Sequence, residues 1–148
     1  MIVLDTHIFL WLINGNDEIT VSGFMPTINK AMKDNSIIIP AICLWEISML
    51  SAKQRIVLHN NALDWLKTAT SAPGISVYPI SPEVAYESTI LPGTFHGDPA
   101  DRMIVATTRV IDGTLITLDK EILAYSKNGF VKTLKPKSLV KISRGKTL

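Results

Sequence analysis

Cysteine is almost missing from this sequence: Cys43 stands alone. No internal disulfide and no cysteine-based zinc site can form, and the scarcity suits a reducing compartment. Histidine is nearly as rare, at three residues, and shows no zinc-ligand spacing. There is no glycine-rich phosphate loop. No serine or cysteine stands with a recognisable base, which removes the usual nucleophilic patterns. No apolar run approaches the length of about 20 residues needed to cross a bilayer. The start, Met1 to Ile13, is oily enough to imitate a signal peptide, but it has no basic leader, and Asp5 and His7 interrupt it. A buried strand followed by a helix, in a cytoplasmic protein without membrane contact, is the expectation.

What is present describes an ordinary, slightly oily globular chain: 148 residues, 47% apolar and 19% charged. That length is most simply one domain with a real core. Acidic residues are missing from one end only. From Lys120 onward there are eight basic residues and one acid, Glu121, whereas residues 1–119 carry seven basic residues and twelve acids. The sequence thus divides into a domain at 1–134 and a basic C-terminal tail at 135–148. A basic tail beside an acidic body suits a polyanion such as RNA; a solvated, frayed end is the plainer reading.

Met1–Leu4 reads as a central strand ending at Asp5, and Thr6–Ile13 as a short buried helix closed by the turn residues Asn14 to Asp17. A helix is expected at Pro26–Lys33. Ser36–Ile39 is an unbroken β-rich run, as in a strand covered on both faces. Ala41–Lys53 is a helix apolar nearly all round, with Glu46 its only acid. Asn61–Thr70 is a further helix. Ile75–Ile80 alternates, and Pro79 points to a sheet edge. Ser81-Pro82 starts a helix as N-cap and first position. Asp98-Pro99 does the same for an apolar helix through Ile111. Thr114–Leu118 is a buried strand that delivers Asp119, Glu121–Ser126 a short helix, and Phe130–Leu134 a last strand. Alternating strands and helices predict a three-layer α/β/α sandwich around a mainly parallel sheet.

In such sheets, polar residues just past the strand C-termini share one crevice. Asp5 and Asp119 directly follow strands. Glu46 lies about two turns into the helix after the second strand, and Asp101 opens the helix that leads to Asp119. A lone glutamate in an oily helix is costly unless paired, protonated or bound to a cation. Two carboxylates about 4 Å apart repel by about 4 kcal/mol at an effective dielectric near 20. A hard divalent cation relieves this, and an all-oxygen donor set selects Mg²⁺, with Mn²⁺ as the substitute. Such an ion activates water and stabilises charge in a phosphoryl displacement. On spacing alone, capping and surface acids remain the competing explanation.

Asp5-Thr6-His7 after an N-terminal strand, Leu44-Trp45-Glu46-Ile47, His96-Gly-Asp-Pro-Ala-Asp-Arg-Met-Ile-Val-Ala-Thr-Thr108 and Leu115-Ile-Thr-Leu-Asp119 together resemble the PIN-domain proteins, and within them the VapC-type toxins. The likeness runs from residue 1 to about 134. It implies a PIN-like fold and a metal-dependent endoribonuclease, the toxin of a type II toxin–antitoxin pair. It also implies an RNA substrate, for which transfer RNA is the suggested class, a cognate antitoxin and a homodimer. The family's acidic quartet carries over onto Asp5, Glu46, Asp101 and Asp119, as metal ligands and catalytic residues. Asp98 matches an accessory acid that reaches metal or caps a helix. Thr6, Arg102 and Thr117 are the expected substrate contacts; for Arg102 an ion pair with Asp98 or Glu46 competes. Leu118 stands where relatives often carry a basic residue, and Pro40 where a small hydroxyl residue is common.

Three other classes compete with this one. A non-catalytic RNA- or protein-binding module on the same fold is the main alternative, against which the intact quartet speaks. A haloacid-dehalogenase-like phosphatase wants a second aspartate two residues after Asp5, where His7 stands. A receiver-type phosphoacceptor wants an acid pair after the first strand, which is missing. Trp11 and Trp45 read as core or dimer contacts.

Overall fold

The computed structural model describes residues 1–136. Most of the expected basic tail, with Lys137, Lys141, Arg144 and Lys146, lies outside the described residues. Four strands, β1 (Ile2–Leu4), β2 (Ile37–Pro40), β3 (Ile75–Tyr78) and β4 (Thr114–Ile116), form one sheet in the order β3-β2-β1-β4. Every pairing between them is parallel. Every residue of β2 is buried, which requires cover on both faces and gives the three-layer sandwich the alternation predicts. β3 lies at the edge, as Pro79 implied, and only Ile75 of it is buried.

The chain builds outward from β1 through β2 to β3, then crosses back to lay β4 on the other side of β1. β1 is therefore the switch point, and the crevice beyond its C-terminal end is where such sheets place their ligands. Leu4 pairs with Ile116, and the Asp5 N–H donates to the Ile116 carbonyl at 3.1 Å. That register brings the residues after β1 and after β4 side by side.

Eight helices are described: α1 (Thr6–Asn14), α2 (Asp17–Val21), α3 (Met25–Lys33), α4 (Ala41–Ala52), α5 (Ala62–Thr70), α6 (Pro82–Thr89), α7 (Pro99–Val110) and α8 (Lys120–Ser126). α4 packs against both α1 and α7, and α7 against α6. The core joins Val3, Leu4, Phe9 and Ile37 to Ile47, Ile104, Val105 and Leu115, all fully buried.

Three expectations are corrected. Not all of Asn14 to Asp17 is turn: Asn14 ends α1, and Asn16 stands at the N-cap of the five-residue α2, with Asp17 and Glu18 in its first turn. β4 stops at Ile116 instead of Leu118, because the Thr117 hydroxyl takes the Asp119 N–H and turns the chain toward α8. Phe130–Leu134 is not a strand. It makes a single parallel bridge, Leu115 to Thr133, and the Phe130 carbonyl is spent on the Arg109 guanidinium. Of the tryptophans, Trp11 is buried but Trp45 is 58% exposed and lies outside the core. Among the described residues no helix is long and apolar enough to cross a membrane.

Candidate active site

Three of the acids stand at helix N-caps. Asp5 caps α1, accepting from the Thr6 N–H at 2.7 Å; Asp98 caps α7, accepting from the Asp101 N–H at 2.8 Å; Asp119 caps α8, accepting from the Ile122 N–H at 3.0 Å. Capping and a functional role are thus not alternatives here. Each cap is made by one carboxylate oxygen and fixes the side chain where three helix N-termini meet. Asp101 comes from the first turn of α7 and Glu46 from the second turn of α4. Pro40 caps α4 without a side-chain hydrogen bond.

The hydroxyls tie the acids together across the sequence. Thr117, fully buried, donates to Asp5 Oδ2 at 2.5 Å and accepts the Asp119 N–H at 3.0 Å. Thr6, also buried, donates to Glu46 Oε1. Both were expected at the substrate; the structure instead gives their hydroxyls to the carboxylates, as positioning groups. Asp5 forms the buried floor, at 7% exposure, Glu46, Asp101 and Asp119 are half-buried, and Asp98 is at the exposed rim.

The charges of these acids act on one another. Burial, and then the charges of Glu46 and Asp119, push Asp5 up to about 6, against the hydrogen bonds from Thr117 and Thr6. Burial pushes Asp101 up to about 8, with Asp5, Asp98, Asp119 and Glu46 all adding to it. Burial also raises Glu46, with Asp98 and Asp119 adding and the Thr6 hydroxyl opposing. No lysine or arginine offsets any of these shifts; only hydrogen bonds lower them. Among the described residues no three acidic, histidine or cysteine side chains are closed around one ion-sized point, so the acids form a crevice and not a cage. An all-carboxylate set with no cation of its own fits a hard divalent ion.

Arg102 is turned away from this crevice. Its Nε donates to the Ser88 carbonyl and its Nη1 to the Phe95 carbonyl, both at 2.8 Å. The competing ion pair with Asp98 or Glu46 does not form, because two backbone acceptors claim the fork first. The guanidinium straps α7 to the end of α6 and to the loop leading to Asp98. Arg102→Lys, whose ammonium cannot span both carbonyls, is expected to lower stability by about 1–2 kcal/mol in urea unfolding.

Thr117 is the residue whose importance sequence understates, since it appears only as a polar position beside an acid. Thr117→Val leaves the buried Asp5 carboxylate and the Asp119 N–H each short of a partner. We expect a loss of about 2 kcal/mol at neutral pH and a further rise in the Asp5 pKa. Denaturation curves and a pH titration of the Asp5 carboxyl by NMR measure the two effects.

Comparison with known proteins agrees with this fold. The sequence profile of the PIN domain matches residues 2–128. A curated relative, Ribonuclease VapC22 of Mycobacterium tuberculosis, is 29% identical over 125 residues, covering 84% of this chain and 91% of its own length. Among solved structures, VapBC2 from Rickettsia felis bound to a DNA fragment from its promoter aligns with a TM-score of 0.66 at 18% identity, over 93% of this chain and 100% of that one. A toxin–antitoxin complex from Klebsiella pneumoniae aligns with a TM-score of 0.57 at 21% identity, over 82% and 90%. These two structures share the fold. With the profile spanning most of its length and its acids gathered at the switch point of the sheet, the chain belongs to the PIN-domain family, and the relatives it resembles are of the VapC type.

Proposed function

We propose that this protein is a Mg²⁺-dependent endoribonuclease, the toxin of a toxin–antitoxin pair, restrained by a cognate antitoxin protein. The observation that carries the reading is the crevice of Asp5, Glu46, Asp101 and Asp119, mutually destabilised and without a cation of its own. The name of the curated relative supplies the substrate class, RNA, and the aligned complexes supply the antitoxin. Transfer RNA is the substrate class to test first.

Asp5, Glu46, Asp101 and Asp119 hold the metal in this reading, with Asp98 at the rim as an accessory donor. When bound, the ion lowers the pKa of a coordinated water and stabilises charge on an in-line phosphoryl displacement, with Mn²⁺ able to replace Mg²⁺. The chain's own contribution is orientation. Thr117 fixes Asp5 and the start of α8 at once, and Thr6 fixes Glu46, so the carboxylates are aimed before any ligand arrives. Three helix N-termini at the crevice add partial positive charge toward a phosphate. Trp45 and Leu63, at 58% and 61% exposure, provide apolar surface for the protein partners, a second copy and the antitoxin.

The test is RNA cleavage by the purified chain, free of antitoxin, with Mg²⁺ and with a chelator. Cleavage is expected only with the metal, and is expected to vanish in Asp5→Asn. Growth arrest on expression, relieved by the neighbouring reading frame, supports the toxin assignment. Unchanged cleavage in Asp5→Asn or in chelator rules out this mechanism, and RNA binding without cleavage leaves the non-catalytic module.

A further inference from the structure

A hollow of about 260 Å³ lies between α8 and the loop that precedes α7. Its lining includes the buried rings of Phe95 and Tyr125, whose centroids are 4.8 Å apart, and the exposed residues His96, Glu121, Ala124 and Asn128. The Tyr125 hydroxyl donates to the Pro92 carbonyl at 2.6 Å, which pins that loop to α8.

This hollow adjoins the acid crevice. Glu121 follows the α8 cap Asp119 by two residues, and His96 precedes Asp98 by two. Gly97 marks how close the two come: a Cβ there would meet both the Phe95 ring, at 2.4 Å, and Asp101 Cβ, at 3.0 Å.

The chemistry of the lining points to one kind of occupant. A carboxylate beside an RNA phosphate is repulsive, so Glu121 serves such a ligand at its hydrogen-bond donors, and the amino hydrogens of a base edge are the donors that differ between bases. An aromatic floor, an imidazole and a side-chain amide are the groups that hold a splayed, unpaired base. The hollow has room for one base. Resting on the ribonuclease reading above, we propose that this pocket receives one unpaired base of a single-stranded RNA segment, adjacent to the phosphate at the acid crevice, and that Glu121 and Asn128 select a base carrying an exocyclic amino group. Adenine, cytosine and guanine carry such a group; uracil offers the carboxylate only one ring N–H, flanked by two carbonyl oxygens that repel it, and is disfavoured.

The test begins with the four nucleosides, which lack phosphate and so report on the pocket without the acid crevice. They are titrated into the isotope-labelled full chain and followed by NMR. The Asn128 side-chain amide and the Ala124 backbone amide are expected to shift with adenosine, cytidine and guanosine, with uridine at least about tenfold weaker. Glu121→Gln, which offers both a donor and an acceptor, is expected to admit uridine and flatten that preference. Ala124→Leu, a well-tolerated change at an exposed helical position, is expected to fill the hollow and abolish the shifts. A short single-stranded oligoribonucleotide is expected to displace the nucleoside, which a site for free nucleosides alone would not show. On a randomised single-stranded pool, wild-type cleavage is expected to exclude uracil at one position beside the cut, and Glu121→Gln to lose that exclusion. Absence of shifts with every nucleoside, an unchanged preference in Glu121→Gln or unchanged binding in Ala124→Leu overturns the pocket, whether or not the chain cuts RNA. Nucleoside binding here in a chain that cuts no RNA supports the pocket and removes the nuclease reading.

Discussion

Asp101→Asn is expected to cut RNA cleavage by about a thousandfold or more, equivalent to about 4 kcal/mol of transition-state stabilisation. It is also expected to raise the melting temperature of the metal-free chain at pH 8 by roughly 3–8 °C. The two effects share one cause. Burial and four neighbouring acids lift the Asp101 carboxyl to about 8, and no hydrogen bond opposes them. In the unfolded chain the same group ionises near 3.8. At pH 8 the fold must therefore either keep a proton that water would take or hold a charge that its neighbours repel. Asparagine has the same shape and neither burden. The gain is expected to shrink as the pH falls, and to vanish near pH 4, where the carboxyl is protonated in the fold and close to protonated outside it. Thermal melts of both proteins in chelator across that range measure it. A metal-free variant less stable than the parent at pH 8 would mean that the carboxylate holds the fold together, and the reading of the crevice as a stored repulsion would be wrong. Stability given up at a site that needs unneutralised acids is a trade-off common to binding and catalytic sites.

The architecture was legible because the signals were local and agreed with one another. The run Ser36 to Ile39 announced a strand covered on both faces, and β2 is buried throughout. Pro79 announced an edge, and β3 lies there. Asp98-Pro99 announced a helix start, and the Asp98 carboxylate caps it. The convergence of the acids was not local. It follows from β1 lying between β2 and β4, a fact about strand order that no short window contains.

The misses have physical reasons too. The start of α2 was visible in Asn16-Asp17-Glu18, a cap followed by two first-turn acids, but the neighbouring Gly15, left-handed at φ +69°, dominated the reading as a turn. Phe130–Leu134 has a strand-like composition, and Lys132 and Leu134 do bond to Leu115, yet the Phe130 carbonyl goes to Arg109, a partner 21 residues away in sequence, and the pairing stays a single bridge. The ion pair offered for Arg102 fails for a similar reason. Its partners are the carbonyls of Ser88 and Phe95, and a backbone acceptor has no sequence signature. Thr6 and Thr117 were recognised as part of the site but given to substrate, because a hydroxyl that aims a carboxylate and one that binds a phosphate look identical in sequence.

The second large effect expected is an opposite pH dependence with and without metal. Asp5 ionises at about 6 in the fold and Asp101 at about 8, each against 3.8 when unfolded. Between 3.8 and 8 the folded chain therefore holds more protons than the unfolded one, so its stability falls as pH rises, first through about 6 and then through about 8. Asp5 alone, almost fully buried, accounts for about 3 kcal/mol of that fall. On the proposed function, Mg²⁺ is expected to reverse the trend, because it would bind the ionised carboxylates and release the protons they held. The stabilisation by Mg²⁺ is thus expected to be small at pH 5.5 and to grow steadily to pH 8.5, with cleavage at subsaturating Mg²⁺ rising about tenfold or more over the same interval. Melting curves in chelator and in Mg²⁺, and calorimetry in buffers of different ionisation enthalpy to count the released protons, measure both limbs. The variant carrying Asp5→Asn and Asp101→Asn together is expected to flatten the metal-free curve across the interval and to release almost no protons. Metal-free stability that climbs with pH, or a Mg²⁺ effect indifferent to it, would mean that these two carboxyls do not carry the charge conflict assigned to them.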